Sequence, residues 1–317
     1  MTTAVAIALY NGEKFVEKQL ESLRLQSKQL DQVILCDDGS KDDTVRIVSS
    51  YIAVHDLQDR WQLIINEKNL GYAANFFHAM KQCRTDLIFL CDQDDIWRPD
   101  KVQKMAEVME QNPHITLLSS RHGVIDGQGK PIEGLLAPKE KETFRLDQVT
   151  MEDVLRSYRW PGMCMCIRTD YFQSLTPYID DYVIPHDVVL TVCATDSGRF
   201  WEYGYIGADH RRHGNNAGNE EHRIWKVLNL QRKLEEVDVY NDMLERIVKS
   251  KLPLTDGVRQ LIQTRLNLSL ARKEALKGRS FSALKKAYTG DGAHLLRKLS
   301  LICDIWLICF GNYRQIR

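Results

Sequence analysis

Three carboxylates crowd the segment Cys91-Asp92-Gln93-Asp94-Asp95-Ile96-Trp97, at the end of an apolar run, Asp86 to Leu90, that reads as a buried strand. Like charges packed within about 4 to 6 Å raise one another's pKa unless a cation or a shared proton relieves them. Hard carboxylate oxygens suit Mg²⁺ or Mn²⁺, and Mg²⁺ takes one or two protein carboxylates with substrate phosphates completing its shell. The spacing therefore points first to a divalent cation and a phosphorylated substrate. The plainer alternative is a solvated loop in which Asp95 caps a helix starting near Pro99.

The elements that must position these carboxylates are legible upstream. Thr3 to Leu9 is a β-rich apolar run ending in the turn-like Tyr10-Asn11-Gly12. A helix follows, with Phe15, Val16, Leu20 and Leu23 on one face and Glu13, Lys14, Glu17 and Lys18 on the other. Gln32 to Cys36 is a second strand, closed by Asp37-Asp38-Gly39-Ser40 and followed by a helix from about Asp42 to Tyr51. Leu63 to Ile65 is a third, leading through Asn66 to Tyr72 into a helix that carries Asn75, Phe76 and Met80. Strand then helix, repeated about every 30 residues, predicts an α/β fold with a mostly parallel central sheet and helices on both faces. In such sheets ligands bind beyond the carboxyl ends of the strands, where the polar clusters at Asn11, Asp38, Asn69 and Asp92 fall.

Tyr10-Asn11-Gly12, Asp37-Asp38-Gly39-Ser40, Asn69-Leu70-Gly71 with Asn75, and Asp92 to Trp97 occur in the order typical of family 2 glycosyltransferases, which have the GT-A fold, and the chain resembles that family. The resemblance continues through Gly162-Met163-Cys164-Met165, Pro185-His186-Asp187 and Arg211 to Asn216, covering roughly residues 3 to 218. Within the family the chain looks most like bacterial members labelled rhamnosyltransferases, which act in cell-surface polysaccharide assembly. The resemblance implies three regions: a nucleotide-sugar-binding half at 1–98, an acceptor-binding half at 99–219 and a helical region at 220–317.

The resemblance also assigns roles. Tyr10, Asn11, Asp38, Asn69, Gly71, Asn75 and Asp92 would bind nucleotide, with Asp92 nearer the ribose. Asp38 is suited to accept the imide N–H of uracil or thymine, although a turn-forming Asp-Gly pair gives the same pattern. Asp94 and His213 would hold Mn²⁺ or Mg²⁺, which stabilises charge growing on the departing diphosphate. Asp187, opening a helix, would deprotonate the acceptor hydroxyl, making the enzyme inverting; a helix N-terminal carboxylate favoured by the macrodipole is the structural alternative. Asp95, Trp97, Trp160, Gly162, His186, Arg211 and Arg212 would face substrate, acceptor or diphosphate, the arginines through forks that match phosphate oxygens. Buried packing is the commoner use of Trp160 and Trp201. Val188 and Val189 replace aromatics frequent in relatives, and His210 stands where they often have Tyr, so donor and acceptor identity stay open between dTDP-rhamnose and a UDP-hexose.

Composition bounds the alternatives. The 317 residues carry 43 basic and 43 acidic side chains, which leaves no global nucleic-acid footprint. Eight cysteines lack zinc spacing and read as reduced, buried thiols of a cytoplasmic protein, and no signal peptide precedes the first strand. A sugar nucleotidyltransferase should carry a glycine-rich loop after the first strand, where Tyr10-Asn11-Gly12-Glu13 offers one glycine. A processive synthase should carry Gln-x-x-Arg-Trp after the base, whereas Arg159-Trp160 precedes Asp187 and Arg156 stands in the Gln position. A non-catalytic scaffold should lose the carboxylates.

From Glu220 the texture changes to helical patterns with breaks at Pro253 and near Gly278 and Gly290. The final stretch, Leu295 to Phe310, is apolar, is interrupted by Asp304 and falls short of the roughly 20 residues that span a bilayer. It predicts a helix packed on the protein itself or a homodimer partner, or one docked on a membrane surface through flanking Lys285, Lys286, Arg297, Lys298, Arg314 and Arg317. A glycan acceptor, free or lipid-linked, or a protein-linked glycan fits these readings.

Overall fold

The computed structural model describes residues 1–132, 141–179, 184–213, 229–290 and 292–311, apart from the side chains of residues 298 and 299. Asn215, Asn216, Arg314 and Arg317 lie outside the described residues. The chain forms two compact units: Met1–Val149 with Trp160–His213, and Thr150–Arg159 with Gly214–Arg317.

The first unit is built on one nine-stranded sheet. Its first half alternates β1 (Thr3–Leu9), α1 (Val16–Arg24), β2 (Gln32–Asp37), α2 (Thr44–Val54), β3 (Trp61–Ile65), α3 (Tyr72–Gln82) and β4 (Leu87–Cys91). β3, β2, β1 and β4 lie side by side and parallel, with Ala4 opposite both Gln32 and Ile88. Their nearly continuous apolar runs fit strands covered on both faces; β4 is buried at every residue. α1 buries Val16, Leu20 and Leu23 at helical spacing, and also Gln19, whose amide donates to the Cys91 thiol at 2.9 Å.

The second half mixes strand directions. The chain passes β5 (Ile96–Trp97), α4 (Lys101–Gln111), β6 (Leu117–Ile125) and β7 (Leu146–Gln148), visits the second unit with α5 (Met151–Arg156), and returns for β8 (Met165–Arg168), α6 (Thr169–Leu175), α7 (His186–Asp196) and β9 (Phe200–Arg211). β8 lies antiparallel between β4 and β6, β9 runs parallel to β6, and β5 and β7 pair antiparallel with β9. The parallel order read from the repeat thus holds for the first four strands. The halves expected at 1–98 and 99–219 share this one sheet, so the end of β4 and the end of β9 meet beside β5.

The second unit is helical: α5, α8 (Leu230–Lys249), α9 (Asp256–Lys277), α10 (Phe281–Thr289) and α11 (Lys298–Phe310). Asn229, Thr255 and Ser280 cap α8, α9 and α10 by accepting a backbone N–H three residues on. α5 is held by the Tyr240 hydroxyl and the Arg265 guanidinium, both donating to the Leu155 carbonyl, at 3.1 and 3.0 Å. Asp304, the acid inside the apolar segment, is fully buried and accepts both arms of Arg272 at 2.5 and 2.7 Å, with the Tyr288 hydroxyl at 2.9 Å. Leu230, Leu276, Leu284, Leu307 and Ile308 belong to the buried apolar cluster of this unit, and Tyr288 packs against it.

Asp304→Asn leaves the Arg272 guanidinium buried without a counter-charge and should cost about 3 kcal/mol in urea unfolding, whereas the double replacement Arg272→Met with Asp304→Leu should return near wild type. Equal losses in single and double variants would show that the pair itself, and not the stranded charge, matters.

Candidate active site

The carboxyl ends of β1, β2 and β4 carry three loops that are tied together by side chains. Tyr10-Asn11-Gly12 follows β1; Asn11 has φ 49°, a left-handed conformation that asparagine tolerates. Gln93, from the loop after β4, accepts the Tyr10 N–H and donates to the Tyr10 carbonyl, both at 2.9 Å. Gly12 leaves room for it: a Cβ there would lie 2.4 Å from Gln93 Oε1. Asn11 in turn accepts the Lys41 N–H at 2.8 Å, and its own N–H donates to Ser40.

The two aspartates after β2 have different tasks. Asp37 closes its own turn, accepting the Gly39 and Ser40 N–H groups at 3.0 and 2.9 Å. Asp38, 2% exposed, accepts the Leu70 and Gly71 N–H groups at 2.7 and 2.9 Å and the Asn66 amide at 2.9 Å. It therefore shapes the loop that Gly71, at φ 84°, turns into α3. Asn69 donates to the Asp38 carbonyl, and buried Asn75 bridges the Asn66 amide and the Cys36 carbonyl. A groove of about 520 Å³ runs beside this loop, lined by Lys68, Asn69, Leu70, Ala74, His78 and Lys81.

The acidic loop after β4 is the electrostatic centre. Burial first, and then repulsion from Asp94 and Asp187, pushes the Asp92 carboxyl up to about 7; Lys101 acts in the opposite direction. Asp187 lies in the first turn of α7. Asp95 is wholly buried and held well above the usual carboxylate range by burial and by Asp92 and Asp94. One of its oxygens accepts the Arg211 N–H at 2.8 Å. Asp94 carries a carboxylate oxygen 2.8 Å from His213 Nε2, and the His213 ring packs on Phe15 with centroids 4.4 Å apart. Among the described residues no three His, Cys, Asp or Glu side chains converge as a ready-made metal site. The Asp94–His213 pair nevertheless offers oxygen and imidazole donors side by side, next to the Asp92 carboxyl, which Lys101 offsets only in part, and this donor set fits Mn²⁺ or Mg²⁺.

Several residues expected at sugar or phosphate lie instead beneath the site. Arg211 is fully buried; its Nε donates to the Asp94 carbonyl at 2.7 Å and its Nη1 to the carbonyls of Asp126 and Gly127. Trp97 is 2% exposed and Trp160 equally so, the latter donating to Glu202 at 2.7 Å. Gly162 backs onto His186, since a Cβ there would lie 2.6 Å from its Nε2. The His186 ring stacks on Phe76 at 3.9 Å, and burial pushes its pKa below the usual imidazole value. Arg212 donates its N–H to the Ile125 carbonyl, leaving β9 toward His213.

Lys101 is the residue that sequence reading passed over. It is wholly buried in the first turn of α4, its amine donates to the Met163 carbonyl at 2.5 Å and lies 3.5 Å over the Trp97 ring, and burial pulls it down to about 8. It supplies the buried positive charge under Asp92 and Asp95. The signal was available: Lys101 is in phase with Met105 and Met109, four and eight residues on, so a lysine occupies an apolar helix position.

The sequence model of the family described as Glycosyl transferase family 2 matches residues 4–172. The amylovoran biosynthesis glycosyltransferase AmsE of Erwinia amylovora is 29% identical over 135 residues, 40% of this chain and 47% of that one. The aligned segment spans between 18% and 71% of the length of the curated relatives it matches, and 45% and 31% of two of the most similar. TarS of S. aureus in complex with UDP-GlcNAc superimposes with a TM-score of 0.63 at 15% identity, covering 99% of this chain and 93% of that one. The mannosyltransferase PcManGT from Pyrobaculum calidifontis in complex with GDP-Man and Mn²⁺ gives 0.55 at 14% identity, covering 96% and 84%. At these identities the structural likeness is one of fold.

Two measurements probe this geometry. Gly12→Ala should expel the Gln93 amide and cost about 2 kcal/mol of stability, and in the Gln93→Ala background the same change should cost much less; additive losses would deny the contact. Burial, with His122 alongside, holds His210 down to about 4 against an ordinary 6.5. As pH falls the unfolded chain takes this proton first, so the stability is complete above pH 6.5 and is lost toward pH 4. Relative to His210→Gln, the wild type should lose on the order of 2 kcal/mol across that window; parallel stability curves would contradict it.

Proposed function

The chain belongs to glycosyltransferase family 2, and from that membership we propose that it is an inverting, divalent-metal-dependent transferase that moves one sugar from a nucleotide-sugar donor, dTDP-rhamnose or a UDP-hexose, to a cell-surface glycan or lipid-linked acceptor. The observation that carries the reading is the Asp94–His213 pair beside Asp92 at the carboxyl end of β4, with Asp92 raised by burial and by the charges of Asp94 and Asp187. Relatives and neighbours lend support: AmsE is described as acting in amylovoran biosynthesis, and TarS and PcManGT were solved with UDP-GlcNAc and with GDP-Man and Mn²⁺.

In this reading the base lies in the groove beside Asn69, with Asp38, Asn69, Gly71 and Asn75 holding the loop that forms it, and Tyr10 and Asn11 lining the nucleotide side. Asp92 faces the ribose. Asp94 and His213 hold Mn²⁺ or Mg²⁺, and the bound ion supplies charge stabilisation to the leaving diphosphate. Arg212 leaves β9 beside His213, where its guanidinium suits diphosphate oxygens. Asp187, in the first turn of α7, accepts the proton of the acceptor hydroxyl as the acceptor oxygen attacks the anomeric carbon. A single base on the acceptor side, with the leaving group eased by metal, gives inversion. His186 sits beside that base as a buried ring clamped by Phe76 and Gly162, and so fixes where α7 begins. Trp97, Trp160 and Arg211 act from beneath, as packing and loop supports. The work fits the inner face of the cell membrane, where such acceptors are extended.

Donor hydrolysis across UDP-, dTDP- and GDP-sugars, with Mn²⁺, Mg²⁺ or EDTA, tests this. One donor should turn over with metal, Asp94→Ala should lose on the order of a hundred-fold, and Asp187→Asn on the order of a thousand-fold. Turnover that survives EDTA and both substitutions would contradict the assignment, and failure of every donor to bind or react would favour a non-catalytic scaffold.

A further inference from the structure

α11 is apolar on both faces, but only one is covered. Leu307 and Ile308 are buried with the Asp304–Arg272 pair, whereas Ile302, Ile305 and Phe310 are 65%, 41% and 65% exposed. With Trp306 and exposed Cys309 they recur at i, i+3, i+4, i+7 and i+8, one continuous outward stripe. Trp306 and Phe310 pair along it, ring centroids 5.7 Å apart. At 13 residues the helix is about 20 Å long, short of the roughly 30 Å of a bilayer core, and among the described residues no helix is long and apolar enough to cross a membrane.

The charges carried by the same stretch of chain point to what covers it. From Gly278 to Gly311, every exposed ionic side chain among the described residues is basic: Arg279, Lys285, Lys286 and Arg297. Asp304 is buried and paired with Arg272, so it does not offset them, and the other acid of this stretch, Asp291, lies outside the described residues. A second copy of the chain meeting this face would bring like charges together. An anionic lipid surface meets both demands, since headgroups attract the basic side chains while the interface accepts Trp and Phe beside aliphatic residues.

We infer that α11 lies in the plane of an anionic bilayer surface, with Ile302, Ile305, Trp306 and Phe310 entering the interface and Lys285, Lys286 and Arg297 at the headgroups. The inference is independent of the donor chemistry. The buried Asp304–Arg272 pair holds the opposite face of the helix on its own unit, so that the stripe is presented without unfolding.

Flotation of the full chain with vesicles of phosphatidylglycerol and phosphatidylcholine, against phosphatidylcholine alone, tests it without reference to activity. Binding should require the anionic lipid and weaken with salt. Ile302→Ser/Ile305→Ser/Phe310→Ser should abolish it at unchanged thermal unfolding, and Lys285→Gln/Lys286→Gln should reduce it on the order of ten-fold. Absence of binding, equal binding to both vesicles, or self-association in sedimentation that the triple replacement removes would each overturn the inference, the last by making a second copy the occupant.

Discussion

Crowding of negative charge at the end of β4 is the constraint around which the first unit is organised. Asp92, Asp94 and Asp95 leave a buried strand together, and the charge of Asp187, in the first turn of α7, adds to the repulsion on Asp92. Such a group is expensive to fold. The chain offsets part of the cost from below with one ammonium, Lys101, and one guanidinium, Arg211, both fully buried. Arg211 works through the backbone, fixing the Asp94 carbonyl and, by its N–H, the Asp95 carboxylate. The compensation is incomplete on the open side, where Asp92 remains raised to about 7. That residual charge is what a divalent ion would relieve.

The loops around this centre are tied to one another by side-chain hydrogen bonds. Gln93 links the β4 loop to the β1 loop, Asn11 and Ser40 link β1 to β2, and Asp38 links β2 to the segment opening α3. If these loops hold a nucleotide-sugar as proposed, the bonds that set their spacing also set its site. Most of these bonds use backbone groups that the strand ends leave unsatisfied.

Much of this was legible in the chain. Apolar runs punctuated by Asn-Gly, Asp-Gly and Leu-Gly turns gave the first four strands and their direction, because a parallel sheet buried on both faces demands continuous apolar strands. Asp187 fell in the first turn of a helix, where its motif put it. The antiparallel insertion of β8 carried no local signal, since register between strands some 80 residues apart depends on packing and not on propensity. The joining of Thr150–Arg159 to the helical unit was hidden for the same reason. Residue type also misled at the interior: Arg211, Trp97 and Trp160 have side chains that suit phosphate or sugar equally well as a buried carbonyl, cation or carboxylate. Lys101 shows the converse, for its helical phase pointed inward while its charge suggested solvent.

The account turns on whether the open carboxylates take up a cation when the donor's diphosphate is present. Electron paramagnetic resonance of free Mn²⁺ titrated with the protein and a nucleoside diphosphate measures this directly. The account predicts that the protein and nucleotide together sequester Mn²⁺ more tightly than nucleotide alone, and that Asp94→Ala and His213→Ala each weaken it. Mn²⁺ uptake unchanged by both substitutions, or none beyond that of the nucleotide, would contradict it.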